Sequence, residues 1–187
     1  MKYIATLLLI ICCQNIRSQS VNIEQLFFDI VDLESSDENS KVGYLKKVHF
    51  GMLSFDLKNF EGHKSLTYST YQRNTKRTDS ITLSSTEKKY LITELRASKN
   101  FEWNLNRKNK LLVVENNESL AVHFLAKNKN SLLKIVSKPI FIRNNTIACV
   151  YSADLCCGHI YGHTSLSFYK RINGKWTEWI VICQGDF

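Results

Sequence analysis

Four side chains that could do chemistry fall within eight residues of one another: Cys156, Cys157, His159 and His163. Thiolates and imidazoles are zinc ligands, and His159 and His163 have a workable spacing, but adjacent cysteines fit a tetrahedral shell poorly. A second chemistry is nucleophilic: His159 could draw the proton from Cys157, although no oxyanion-binding motif accompanies the pair. The third is structural, a disulfide, which an exported chain favours. Asp154 is the one acid in this stretch and reads as a turn residue. Together Asp154, His159, Tyr161 and His163 form a candidate binding loop.

The elements that must hold this loop are legible around it. Thr164 to Ile172 and Lys175 to Cys183 flank Asn173-Gly174, and Asn-Gly supplies the two positive-φ residues of a type I′ hairpin turn. A two-residue turn fixes the register. Ile172 faces Lys175, Phe168 faces Trp179, Leu166 faces Val181 and Thr164 faces Cys183. Leu166, Phe168, Trp179, Val181 and Cys183 then share a core face, while Arg171 meets Trp176 as a cation–π pair on the outer one. Upstream, Pro139 to Ile142 and Thr146 to Tyr151 bracket a turn at Arg143 to Asn145, so four antiparallel strands are expected from about Leu132 onward. Ser152 to His163 shows little periodicity and reads as the loop between the hairpins.

This register brings the loop cysteines towards Cys183. Bonding needs Cα atoms within about 7 Å, and the expected bridge is Cys157–Cys183. Cys156–Cys183 is the alternative, with Cys149 pairing to the leftover loop cysteine as a further one. Otherwise Cys149 stays a small apolar thiol in mid-strand.

The run SKPIF (Ser137 to Phe141), a strand ending VYS (Val150 to Ser152), Cys157-Gly158, Gly162 and YKRINGKW (Tyr169 to Trp176) resembles a group of uncharacterised secreted bacterial proteins. That resemblance spans roughly the last fifty residues. Members often carry Cys-Gly-x-x-Cys-Gly in the loop; here Cys157-Gly158 matches, and Tyr161 stands before Gly162 at the second position. The resemblance implies export and a shared fold, and it carries no activity.

Export also follows from the start of the chain. Met1-Lys2 precedes an apolar run, Ile4 to Cys13, too short to span a bilayer, and Ile16-Arg17-Ser18 offers a cleavage site. Residues 1–18 are thus expected to be a signal peptide and 19–187 a single domain. A lipoprotein acylated at Cys12 or Cys13 is the alternative. No later stretch is long and apolar enough for a transmembrane segment.

The chain of 187 residues carries 25 basic and 17 acidic residues, a net charge of +8. Charge is unevenly spread: Gln19 to Ser40 holds six acids and no Lys or Arg, whereas Lys41 to Lys110 holds fifteen basic residues against six acidic. A solvated basic face is the simplest consequence. Contact with an anionic polymer would use Lys46, Lys47, Arg73, Lys76 and Arg77. No nucleic-acid motif accompanies them, and no nucleic-acid partner is expected.

Ahead of the C-terminal strands, Ile23, Leu26, Phe27, Ile30 and Val31 form the stripe of an amphipathic helix behind Asn22. Val42 to Phe60 reads as one or two strands, with Val48, Phe50 and Met52 alternating around Gly51. Leu66 to Tyr71 pairs with Asp79 to Leu83. Ser84 to Glu87 is a capping box opening a helix to Ala97. Phe101 to Trp103 and Lys110 to Glu115 read as strands, and Ser119 to Ala126 fits either type. The sum is α+β: a mostly antiparallel sheet with C-terminal hairpins and two packing helices.

No phosphate-binding glycine loop, G-x-S-x-G elbow or H-E-x-x-H helix is present. The reading is therefore an exported, non-enzymatic domain that binds a protein or envelope component and calls for no cofactor or metal. Its alternatives are a small exported enzyme using Cys157-Gly158-His159, or a binder of anionic polymers.

Overall fold

The computed structural model describes residues 23–31, 42–72, 77–105, 112–115, 118–127, 131–156 and 161–186. The fold is α+β. Helix α1 covers residues 23–31. Strand β1 (Val42–Leu45), helix α2 (Phe50–Gly62), strands β2 (Thr67–Gln72) and β3 (Arg77–Thr82) and helix α3 (Ser85–Ala97) follow. Next come β4 (Leu112–Val114), α4 (Glu118–Lys127), β5 (Leu132–Val136), β6 (Ile140–Ile142), β7 (Ile147–Cys156), β8 (Tyr161–Ile172) and β9 (Lys175–Asp186).

The main sheet runs β4-β1-β5-β7-β8-β9, with β6 also on β7. β1 lies parallel to β4 and β5, and the remaining pairs are antiparallel. Strands β2 and β3 form a separate hairpin. It docks on the end of the sheet through Asp79, which accepts a 2.8 Å hydrogen bond from Trp179 Nε1 and pairs with Lys170 at 3.3 Å.

Both faces of the sheet are covered, which is why Ile147 to Tyr151 are buried without a break. On one face Leu53, Leu57 and Phe60 of α2, Leu91 and Leu95 of α3 and Tyr68 and Ile81 of the hairpin pack on Leu133, Ile135, Cys149, Leu166, Phe168 and Ile180. On the other, Leu26, Phe27, Ile30 and Val31 of α1 pack with Trp103 on Tyr44, Val136, Val150, Tyr169 and Trp176. Helix α1 is fastened there by polar contacts as well. The buried Asp29 accepts the Trp176 backbone N–H at 2.8 Å, and Gln25 holds its other oxygen at 2.8 Å.

Two local expectations hold to the residue. Ser84 and Glu87 exchange both bonds of the capping box, at 3.0 and 2.7 Å. Asn173 and Gly174 adopt φ of 52° and 83°, as the type I′ turn requires.

Four expectations are corrected. The described residues hold four helices, not two. Phe50–Gly62 is helical where strands were expected, because Leu53, Leu57 and Phe60 recur at helical spacing and bury as one stripe. Ser119 to Ala126, open between two types, lies in α4. The register beyond Tyr169 differs, since two irregularities in β9 put Phe168 opposite Ile180 and Leu166 opposite Cys183. Trp176 is 1 % exposed, so its contact with Arg171, 5.3 Å from the ring, caps a core residue instead of decorating the surface. Finally, most of the expected loop is strand: β7 runs on to Cys156 and β8 starts at Tyr161. Tyr151, Ala153 and Leu155 are buried while Ser152, Asp154 and Cys156 between them are half-buried, a strand's period of two.

Candidate functional site

Extending β7 and β8 turns Asp154 from a turn residue into a rung of the sheet. Lys134 on β5 is opposite Asp154 on β7, Asp154 is opposite His163 on β8, and His163 is opposite Asp186 on β9. The Lys134 ammonium lies 2.7 Å from Asp154 Oδ1, and His163 Nδ1 lies 2.8 Å from Asp186 Oδ1. One rung along, Ser152 and Ser165 are opposite each other with hydroxyls 3.0 Å apart, and Gln184 follows on β9.

Lys134, Asp154, His163, Ser152, Ser165 and Gln184 line a pocket of about 190 Å³ together with Tyr169, Glu178, Val181 and Ile30 of α1. It opens where the α1-covered face passes from apolar to polar. The Lys134 side chain is only 1 % exposed. Burial pulls its amine below the usual lysine range, while the neighbouring Asp154 and Glu178 carboxylates oppose that shift. Burial also pushes the Tyr169 hydroxyl up, with Glu178 nearby adding to it. Two of the four residues expected in the binding loop, Asp154 and His163, thus meet here. His159 lies outside the described residues, as does the side chain of Tyr161.

On the opposite face of the same strands Asp56 of α2 is 1 % exposed. Neither of its carboxylate oxygens meets a hydrogen-bond partner among the described residues. Burial raises its pKa. For an acid with a raised folded pKa, stability is lost as pH climbs from the unfolded value, about 3.9, to the folded one. Replacing Asp56 by Asn is therefore expected to leave stability unchanged near pH 3.5 and to raise it by roughly 1–3 kcal/mol at pH 8. Urea unfolding at both pH values reads this; a gain of equal size at both would refute it.

The cysteines follow the corrected register. Cys149, Cys156 and Cys183 are outside any disulfide. Cys183 faces Leu166, which faces Tyr151, whereas Cys156 sits five residues further along β7, opposite Tyr161. At about 3.3 Å per residue that offset is roughly 16 Å, beyond the reach of a disulfide, so the alternative bridge Cys156–Cys183 is not formed. Cys157 lies outside the described residues, and with it the favoured bridge Cys157–Cys183. The Cys183 thiol reaches the Asp56 carbonyl oxygen at 3.6 Å, and burial pushes its pKa up to about 12. Burial raises Cys149 as well. Neither is set up as a thiolate nucleophile. Among the described residues no group of three His, Cys, Asp or Glu side chains is placed to hold a metal.

Of the five basic residues, Lys46 and Lys47 are the two whose side chains are described, and both are held by acids. Lys47 pairs with Glu102 at 2.7 Å, and Lys46 with Glu102 and Glu115 at 3.6 and 3.8 Å. Arg73 and Lys76 lie outside the described residues, as does the side chain of Arg77.

The sequence reading missed Lys134, Ser152, Ser165, Tyr169, Glu178 and Gln184. One signal was available: Lys134 interrupts an otherwise apolar strand, Leu132–Val136.

Comparison of the chain with protein-family models, with curated proteins and with solved structures finds no match.

Proposed function

We propose that this chain is an exported domain, secreted or periplasmic, that binds a protein or a component of the cell envelope and does no catalysis. The observation that carries the binding half is the polar pocket. A face that elsewhere buries Val136, Val150 and Trp176 ends in a buried Lys134, two carboxylates and two serines. A fold alone is served as well by apolar side chains there, since a buried ion pair contributes little net stability. Convergent polar groups in a concavity are the usual mark of recognition.

The pocket's pairing favours binding over chemistry. Lys134 is held by Asp154, His163 by Asp186 and Ser152 by Ser165. Strand β7, which carries Ser152 and Asp154, pairs without a break with β5 on one side and β8 on the other, which engages backbone N–H groups an oxyanion site would need. Export rests on the leader pattern of residues 1–18 and on the resemblance at the C-terminal end. No helix among the described residues is long and apolar enough to cross a membrane.

The test is capture from an envelope fraction. Wild-type protein is compared with Gln184→Trp, which fills the pocket, and with Lys46→Glu/Lys47→Glu, which reverses the basic pair. Capture is expected to fall at least about tenfold in the first variant, the loss of one well-made polar contact or more, and to persist in the second. The reverse order would favour the anionic-polymer reading. A native Cys157 that alkylates rapidly at neutral pH would favour the enzyme. The exported chain is expected to begin at Gln19 or nearby, and sequencing that finds the leader intact removes the export half.

A further inference from the structure

We propose that the pocket recognises an ammonium group on a small hydroxylated ligand, an amino sugar being the simplest example; this rests on the binding reading above. Local charge in the pocket runs against the charge of the whole. The chain is strongly basic, at +8, yet Asp154 and Glu178 line this pocket and Asp186 holds His163 at its rim, against a single lysine. That lysine is engaged, 2.7 Å from Asp154. A negative surplus is left at Glu178, whose neighbour across the β8–β9 pair is the hydroxyl-bearing Tyr169. An anionic ligand would meet uncompensated carboxylate, whereas an ammonium brings three donors to acceptors already facing the cavity.

The rest of the lining suits hydroxyls. Ser152, Ser165 and Gln184 present short donors and acceptors on successive strands, and Ile30 and Val181 give an apolar patch for a ring face. The volume, about 190 Å³, is below the 300–1,000 Å³ of drug-sized sites and admits one ring or a short chain.

Three probes of similar size separate the possibilities: glucosamine, glucose and gluconate, titrated into the purified protein and followed by backbone amide shifts. Glucosamine is expected to shift Ser152, Ser165 and Glu178 saturably, with glucose at least about tenfold weaker and gluconate weaker still. Glu178→Gln is expected to reduce glucosamine affinity about tenfold and leave glucose unchanged, one charge-assisted contact being worth about that factor. Gln184→Trp should abolish all shifts at the site. Equal binding of glucose and glucosamine, a preference for gluconate, or no effect of Glu178→Gln overturns the ammonium assignment. If no probe binds but Gln184→Trp still abolishes envelope capture, the ammonium assignment falls and the binding pocket stands. If capture is also untouched, both fall.

Discussion

Replacing Asp154 by Ala is expected to destabilise the protein by about 3 kcal/mol at neutral pH, towards the lower end of what breaking a buried ion pair costs because the Asp154 side chain is 26 % exposed. The loss comes from what remains. Lys134 stays buried, its ammonium without the carboxylate that held it. Its folded pKa then falls further below the unfolded value of about 10.4. A lysine whose folded pKa is depressed makes stability rise with pH between the folded and unfolded values, because the unfolded state binds the extra proton. The deficit of Asp154→Ala should therefore narrow from pH 7 to pH 10. Lys134→Met added to Asp154→Ala should recover most of it at pH 7, since an apolar side chain of similar length replaces the stranded charge. Urea unfolding of the two variants at both pH values measures this. A pH-independent deficit, or no recovery in the double variant, would show that Lys134 is not the cause.

Phe27→Ala is expected to cost about 3–5 kcal/mol, as deletion of a large buried ring does. Phe27 is 0 % exposed and touches the rings of Tyr44 and Trp103 at 5.3 and 4.6 Å between centroids. It joins α1 to β1 and to the Trp103 segment, whose indole N–H donates to the Val136 carbonyl at 2.7 Å. Ile30, a turn further along α1, lines the pocket. Loosening the helix should thus weaken ligand binding along with the fold. A calorimetric melt that moves by only a degree or two would mean that α1 is an ornament on the sheet.

The parts of this architecture that could be read from sequence are those fixed by local stereochemistry. Asn173-Gly174 had one reading because few residues accept φ above zero twice in succession. Ser84 and Glu87 had one reading because their bonds close within a single turn. The apolar stripe of residues 23–31 fits a helix and nothing else. Phe50 to Phe60 was ambiguous, since Val48, Phe50 and Met52 alternate like a strand while Leu53, Leu57 and Phe60 recur like a helix. Only the neighbouring layer decides between them. In β9 the run Trp179 to Cys183 is apolar at every position, so no alternation marks where the register slips. The site was half legible for the same reason. Asp154 and His163 stood out as polar residues near the cysteines, but Lys134 joins them only through pairing of β5 with β7.

Strand β1 has a consequence for the order in which the chain can fold. It lies parallel between two strands made much later: Gly43 pairs with Leu112 and Val42 with Leu132, about 70 and 90 residues downstream. Parallel neighbours cannot be joined by a hairpin, and closing such long loops must precede any gain from pairing. Strands β7 to β9 are joined by short connections and can zip locally. Strand β1 is therefore left waiting for its neighbours, unlike the β2–β3 hairpin, which closes within its own stretch of chain. Were the chain to thread through a narrow channel with its first residues leading, β1 would arrive on the far side well before β4 and β5 could receive it.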